Sequence, residues 1–259
     1  MESLVKVEKL DHIATITIDN PPMNVLSNQV LAELAEIFSE LELDPETLAV
    51  ILTGAGNRAF MAGADIKEFP QLFEKADVKE HILNTHQVFN QIENLPKPTI
   101  AVLNGFTFGG GCELALTCDI RIAESHAQLG LPEVKLGILP GGGGTQRLPR
   151  IVGAAKAKEL MFTGEPISAV DALQIGLVNH VVPSGEGIKN ATALAKKISA
   201  YSLQSLSRIK RAVNEGIALP LSSALDLEAE LFADVFKTED VKEGVQAFIE
   251  KRPPIFRNK

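Results

Sequence analysis

The sequence has few of the residues that metal, disulfide and membrane sites require. Its 259 residues include two cysteines, Cys112 and Cys118, and five histidines. No second cysteine pair is present to complete a zinc site and the histidines lack metal-ligand spacing, so we expect two small buried thiols and no metal. The apolar runs are far shorter than the ~20 residues of a membrane span, and the N-terminal segment is too polar for a signal or transit peptide. We therefore expect a cytoplasmic protein without a membrane partner.

Basic residues are also in short supply, with 25 Lys and Arg against 33 Asp and Glu and a net charge of −8. Surfaces that bind nucleic acid or anionic membranes need a basic face, so the charge argues against both partners. An anionic ligand would have to bind through a local cluster of Lys or Arg. The apolar content of 45% and charged content of 22% are typical of a soluble globular protein with a sizeable core.

Strand and helix patterns are mixed along the chain. Residues 12–18 alternate as a strand does, while 48–52 and 99–103 are short apolar runs typical of buried strands. Ser27 and Asp77 are each placed to cap the start of an amphipathic helix. These patterns predict a mixed α/β core.

From about Ala195 onward the pattern is helical, with stops at Pro220 and at Pro253-Pro254. We therefore divide the chain into a catalytic core, residues 1–195, and a C-terminal helical segment, residues 196–259. An all-helical segment with many apolar positions commonly packs on the core or on a neighbouring subunit.

GAGNRA, residues 54–59, matches the dinucleotide-binding pattern G-x-G-x-x-A. In that fold the glycines open a long helix. Here Gly63 and Pro70 would interrupt such a helix. We therefore interpret the segment as a tight turn after a strand rather than as a nicotinamide or flavin site.

Two further glycine-containing segments could expose backbone N–H groups. In AGADIK, residues 62–67, Asp65 could simply cap a short helix, or the N–H of Ala64 could face a developing negative charge. In FGGGCEL, residues 108–114, the glycines could open a helix whose first N–H groups are unpaired. Glu113 would then lie in the first turn among apolar neighbours. Partial burial of this carboxyl would raise its pKa, as acid/base chemistry requires.

A second carboxylate of this kind is Glu133, which follows Pro132 between apolar residues. It could equally be a surface residue beside Lys135. The run Gly141–Gly144 lacks the following lysine of a phosphate-binding loop. It predicts a tight turn into a helix that begins near Thr145.

In this order and spacing the segments resemble the enoyl-coenzyme A hydratase, or crotonase, family. The matching segments are NPPMNVLS (20–27), LTGAGNRAFMAGADIKEF (52–69), NGFTFGGGCELALTCDIRIA (104–123), LGLPEVKLGILPGGGGTQRLPRIVG (129–153), TGEPISAVDALQIGLVNHVVP (163–183) and FIEKRPPIF (248–256). The likeness spans nearly the whole chain. It implies an α/β fold, a crotonase-like spiral of β-β-α units, with a C-terminal helical region that forms a homotrimer or a dimer of trimers.

The resemblance also implies roles for individual residues. The N–H groups of Ala64 and Gly110 would hold the thioester carbonyl of an acyl-coenzyme A substrate. Glu113 and Glu133 would be the two hydratase glutamates.

The coenzyme A would lie along the AGADIK segment. Its implied contacts are Ala62, Ala64, Asp65, Ile66 and Lys67. Lys251 would reach the nucleotide bound to a neighbouring subunit.

The activity implied is the hydration of trans-2-enoyl-coenzyme A thioesters to 3-hydroxyacyl-coenzyme A in fatty-acid metabolism. No cofactor is expected, because coenzyme A is part of the substrate. The alternatives are another reaction on the same scaffold, by an isomerase, decarboxylase, dehalogenase or lyase, and a non-catalytic binding or RNA-associated protein of this fold. Three departures from the family pattern, Met61, Thr107 and Phe108, bear on the acyl chains that the site accepts.

Overall fold

The computed structural model describes residues 2–70 and 78–259, and two β-sheets organise this part of the chain. The strands are β1 (Val5–Leu10), β2 (Ile13–Ile18), β3 (Ala49–Gly54), β4 (Ala59–Ala62), β5 (Thr99–Leu103), β6 (Phe106–Phe108), β7 (Ile120–Glu124), β8 (Gln128–Gly130), β9 (Ile167–Ser168) and β10 (His180–Val182). The larger sheet has the order β1-β2-β3-β5-β7-β10, and the smaller sheet has the order β4-β6-β8-β9.

Helices surround these sheets. The described α-helices are α1 (Asn28–Leu43), α2 (Val78–Asn94), α3 (Gly110–Ala115), α4 (Gly144–Val152), α5 (Ala154–Thr163), α6 (Ala169–Gln174), α7 (Gly187–Ser199), α8 (Leu203–Gly216), α9 (Leu221–Val235) and α10 (Glu239–Glu250). Two short 3₁₀ turns, Ile66–Glu68 and Pro132–Leu136, follow β4 and β8.

The centre of the larger sheet is parallel. β3 pairs with β2 and β5, and β7 pairs with β5 and β10, all in parallel register. All six residues of β3 are buried, as expected for a parallel strand that is covered on both faces. The buried strand predicted near residues 48–52 is therefore confirmed.

From β3 to β8, successive strands alternate between the two sheets. β3, β5 and β7 belong to the larger sheet, and each is followed by a strand of the smaller sheet, β4, β6 or β8. After β4 and β6 a helix or helical turn leads back to the larger sheet, whereas the helices after β8 lead first to β9 of the smaller sheet. This repetition is the β-β-α spiral that the resemblance implies, so the predicted fold class is confirmed.

Helix α1 begins where the sequence predicts. The Ser27 hydroxyl oxygen accepts a hydrogen bond from the Val30 N–H at 3.3 Å, which satisfies one of the unpaired donors of the first turn. Leu34 and Phe38 are fully buried on the face that packs against the core. Asp77, the cap predicted for the next helix, lies outside the described residues.

After β10 the described chain contains only helices, α7 to α10. The predicted boundary at residues 195/196 falls inside α7, whose Ala191 and Ala195 are buried against the larger sheet. Helix α7 thus belongs to the core by its packing. The division of the chain into two units stays a prediction.

Both cysteines are buried and unpaired, as the sequence predicts. Burial raises the pKa of Cys112 and of Cys118 to about 12, which keeps both thiols protonated. Among the described helices, none has the length and apolar character that crossing a lipid bilayer demands.

Candidate active site

The glycine triplet begins α3 and lets the chain approach β4 very closely. Gly109, the residue before the helix, has φ +52° and ψ −126°, in the positive-φ region that glycine adopts most readily. A Cβ atom on Gly111 would lie 2.0 Å from the Met61 carbonyl oxygen, so no side chain fits there. The triplet therefore places the first turn of α3 against β4.

Two backbone N–H groups that are unpaired within the described residues come together at this point. A Cβ atom on Gly110 would lie only 3.6 Å from the nitrogen of Ala64. A parallel bridge fixes the Ala64 segment, because Leu26 donates to the Gly63 carbonyl at 2.8 Å and accepts from the Asp65 N–H at 2.9 Å. Across residues 2–70 and 78–259, neither the Ala64 N–H nor the Gly110 N–H has a hydrogen-bond partner. Both residues line one cavity of about 370 Å³.

Glu113 is a buried carboxylate at the wall of this cavity, with its residue surface 3% exposed. Burial raises its pKa. The N–H groups of Gly144 and Gly142, and the positive charge of Arg147, act in the opposite direction and favour the charged form. The Gly144 N–H donates to Oε1 at 2.7 Å.

Glu133 lies in the 3₁₀ turn after β8 and also lines the cavity. Its Oε2 is buried and has no hydrogen-bond partner within the described part of the chain. Burial, reinforced by the negative charge of Glu113, raises the pKa of Glu133 to about 7. An unpaired buried carboxyl oxygen is uncommon in proteins and is typical of a group that meets a ligand or a reacting proton.

The two carboxyl groups therefore differ in their surroundings. Burial raises the pKa of both groups, but only Glu113 has N–H donors of the Gly141–Gly144 loop that oppose this effect, whereas the pKa of Glu133 is raised to about 7. Such a pair can divide the roles of base and acid between its members.

The predicted substrate contacts are only partly brought together. Ala62, Asp65 and Ile66 line the cavity, and Asp65 also caps the following 3₁₀ turn by accepting from the Lys67 N–H at 3.1 Å. The capping interpretation of AGADIK is therefore confirmed, and the role of the Ala64 N–H towards a developing negative charge stays a prediction. Lys67 and Lys251 are exposed and do not line the cavity.

Two features of the site were missed from the sequence. Lys135 is exposed and pairs with Glu165 at 2.8 Å, and it also lines the cavity, which the sequence did not indicate. Gly141–Gly144 makes the predicted tight turn into α4, but it also supplies the N–H that binds Glu113. The glycines in the sequence predict a tight turn of the backbone, but they do not indicate which side chain the turn contacts.

The remaining sequence interpretations are also located. GAGNRA leads from β3 into strand β4 rather than into a helix, so the tight-turn interpretation is confirmed. Of the three departures from the family pattern, Phe108 lines the cavity, whereas Met61 and Thr107 are fully buried away from it.

Comparisons with known proteins agree with this architecture. A family model described as Enoyl-CoA hydratase/isomerase matches residues 8–259. The short-chain-enoyl-CoA hydratase of Clostridium acetobutylicum is 47% identical over 96% of this chain and 95% of its own length. The crotonyl-CoA hydratase of Syntrophomonas wolfei is 42% identical over 98% of this chain and 97% of its own.

A solved structure supports the same assignment. The crystal structure of an enoyl-CoA hydratase from Bacillus anthracis superposes with a TM-score of 0.94 at 40% identity, covering 99% of this chain and 100% of that one. By its sequence and by its fold, this chain belongs to the enoyl-CoA hydratase/isomerase family.

Proposed function

We propose that this protein adds water to trans-2-enoyl-CoA thioesters and forms 3-hydroxyacyl-CoA, with Ala64, Gly110, Glu113 and Glu133 as the catalytic groups. The observation that carries the proposal is the meeting of two unpaired N–H groups and two unlike carboxyl groups in one cavity. The names of the relatives from Clostridium acetobutylicum and Syntrophomonas wolfei agree with it.

The N–H groups of Ala64 and Gly110 bind the thioester oxygen. When water attacks C3 of the enoyl thioester, electrons move through C2 onto this oxygen and an enolate develops. Two fixed donors stabilise that charge without reorganising, and each such donor is typically worth about 10²–10³ in rate.

Glu113 acts as the base and Glu133 as the acid. Glu113 takes a proton from the attacking water, whose oxygen bonds to C3. Glu133, with its pKa raised to about 7, gives its proton to C2. Exchange with solvent then removes the proton from Glu113 and returns one to Glu133. The reaction needs no resident cofactor, because coenzyme A arrives with the substrate.

The coenzyme A portion lies along Ala62, Asp65, Ile66 and Lys67, near the edge of the cavity. Lys67 is an exposed cation next to cavity-lining Ile66, so it can pair with a phosphate of the ligand outside the cavity. We assign Lys251 the same role towards a ligand bound by a neighbouring copy.

The assembly is a homotrimer or a dimer of trimers formed through the C-terminal helices. Ile209, Val213 and Ile217 of the α8 region are 61%, 60% and 66% exposed and lie on one side of the helix. Contiguous exposed apolar residues are typical of a surface that another subunit covers. Multi-angle light scattering checks the assembly, and a monomer at micromolar concentration would refute it.

Loss of absorbance from a conjugated enoyl thioester tests the reaction directly, across several chain lengths. Glu113→Gln and Glu133→Gln keep size and hydrogen bonding, and each should lower turnover about 10²–10⁴-fold. The double variant should lose far less than the product of the two, since the pair acts as a unit. Glu159→Gln, at an exposed position paired with Lys156, is the matched control.

Hydration at the wild-type rate by either single variant would contradict the two-carboxyl mechanism. A wild-type protein that moves a 3-enoyl double bond without adding water would instead be an isomerase of the same family.

A further inference from the structure

The loop Gly141–Gly144 is held from the side opposite to Glu113. The Gly141 carbonyl accepts a hydrogen bond from His86 Nε2 at 2.6 Å. Because a carbonyl oxygen can only accept, this nitrogen of the imidazole must carry the proton. His86 lies on α2, next to Phe89 in the wall of the cavity. It touches the loop and is not itself part of the cavity wall.

Peptide geometry connects His86 to the carboxylate. In a trans peptide the C=O and the following N–H point in opposite directions. The oxygen of the Gly141–Gly142 peptide faces His86, so its N–H faces the other way, where Glu113 lies. A Cβ atom on Gly142 would lie 2.7 Å from Glu113 Oε2, which shows how closely the loop approaches this carboxylate.

The next peptide of the loop is also held by a side chain. Arg147 donates from Nη1 to the Gly142 carbonyl at 3.2 Å. Its guanidinium is fixed in turn by Glu93, at 3.0 and 2.7 Å, and by Asn90 at 2.6 Å. His86, Asn90 and Glu93 are spaced along one face of α2, so a single helix face braces the loop.

We infer that His86 is a positioning residue, which fixes the Gly141–Gly142 peptide so that its N–H is aimed at the Glu113 carboxylate. The inference rests on the proposed function, in which Glu113 is the base. Donation by that N–H stabilises the charged carboxylate and also fixes where its oxygens point. Without the bond to His86 this peptide is held less firmly, so Glu113 keeps the Gly144 N–H but loses part of its remaining hydrogen bonding and orientation.

The test compares two variants at position 86. His86→Leu keeps bulk and removes the donor, whereas His86→Gln restores an N–H donor within reach of the carbonyl. His86→Leu should lower kcat about tenfold with KM little changed, because the base is displaced while substrate contacts remain. His86→Gln should recover most of that loss.

The pH profile supplies a readout that a general loss of stability would not move. Removing a donor from a carboxylate raises its pKa, so less Glu113 is ionised at a given acidic pH. The acidic limb of kcat in His86→Leu should therefore move up by about half a pH unit to one unit. His86→Gln should return it towards the wild-type position.

His12→Leu is the matched control, since the His12 ring also bonds a backbone carbonyl, that of Glu46 at 2.8 Å, but this carbonyl is not in the Gly141–Gly144 loop. Its kcat and pH profile should equal those of the wild type. Thermal unfolding of all three variants establishes that they are folded at the assay temperature.

Carbon-13 NMR of glutamate side chains gives the pKa of Glu113 without turnover, with the signal assigned by its loss in Glu113→Gln. A higher pKa in His86→Leu than in wild type, restored in His86→Gln, supports the positioning role even if the wild type hydrates nothing. In that event only the proposed function fails. An unchanged pKa of Glu113 in His86→Leu overturns the inference. If the wild type does hydrate enoyl thioesters, an unchanged kcat in His86→Leu overturns it as well.

Discussion

The two glycine runs of this chain begin helices in the same way but present their N–H groups to different partners. Gly109 and Gly143 precede α3 and α4 with φ of +52° and +107°, so each helix starts from a residue in a positive-φ conformation. After the first run, the Gly110 N–H faces the cavity and is unpaired within the described residues. After the second, the Gly144 N–H binds the Glu113 carboxylate at 2.7 Å.

The difference shows one structural device serving two purposes. A helix start offers unpaired N–H groups and the positive end of the helix dipole. When nothing in the protein occupies them, they can stabilise charge on a ligand. When a protein carboxylate occupies them, they adjust its protonation and fix its direction. Here one start faces the cavity and the other holds a carboxylate of the cavity wall, so together they can prepare both the electrophile and the base.

Replacing Gly110 with proline should produce the largest effect on this comparison, since it removes the N–H itself. Gly110 is the first residue of α3, a position where proline is tolerated, so the helix should persist. Turnover should fall about 10²–10³-fold.

Ala154→Pro is the matched control, because Ala154 is the first residue of another glycine-preceded helix and does not line the cavity. Steady-state kinetics of both variants on a 2-enoyl thioester make the comparison. Equal turnover in Gly110→Pro and wild type would remove Gly110 from the oxyanion site.

Gly142→Ala disturbs the second run instead. The added Cβ would lie 2.7 Å from Glu113 Oε2 and 3.1 Å from Phe89 Cε2, so the loop must move away from the carboxylate. We expect turnover to fall about tenfold to a hundredfold, from displacement of the base alone. Gly244→Ala in α10, where the Cβ would meet only Phe256 at an ordinary 3.4 Å, should keep full activity. A fully active Gly142→Ala would show that the second run does not serve Glu113.

Local features of the fold were predictable because they depend on neighbours in sequence. Ser27 caps α1, and the apolar run near residue 50 is a buried parallel strand. The alternation of strands between two sheets was not visible as a repeat, since the connecting segments differ in length. It was expected only from the family resemblance.

The site was predictable only in part, for a physical reason. The glycine runs signal unusual backbone geometry, but their targets depend on tertiary contacts between distant segments. Glu113 and the Gly144 N–H are brought together only by folding, as are Gly110 and Ala64. Apolar neighbours in sequence suggested a buried Glu113, and the structure has it 3% exposed.

Glu133 differs from Glu113, because within the described residues neither glycine run donates a hydrogen bond to its carboxyl oxygens. Its pKa is raised from 4.5 in the unfolded chain to about 7 in the folded protein. The folded state therefore binds more protons between these values, and stability falls as pH rises through this window. Glu133→Gln removes that penalty, so it should be more stable than wild type at pH 8 and lose the advantage below about pH 4.5.

At pH 8 the free energy of unfolding of Glu133→Gln should exceed that of the wild type by about 1–2 kcal/mol. This is less than the full pKa shift of Glu133 implies, because solvent reaches part of the carboxyl group. Urea unfolding at pH 8, 6 and 4 measures it, with Glu159→Gln as a surface control. If the difference in unfolding free energy between Glu133→Gln and wild type does not vary with pH, the pKa of Glu133 is not raised to about 7.

The smallest effect is expected at Lys67, close in sequence to the Ala64 donor but outside the cavity. If the Ala64 segment binds ligand through its side chains as well as its backbone, Lys67→Ala should weaken coenzyme A binding. Exposed ion pairs are worth up to about 1 kcal/mol, so the loss should not exceed about fivefold. It should shrink between 0.05 and about 1 M salt as screening increases. Lys197→Ala, at another exposed lysine, should bind as the wild type does. Calorimetry measures the coenzyme A affinity of each protein. Equal affinity in wild type and Lys67→Ala at low salt would show that the Lys67 side chain does not contribute, and that this segment binds the ligand through its backbone alone.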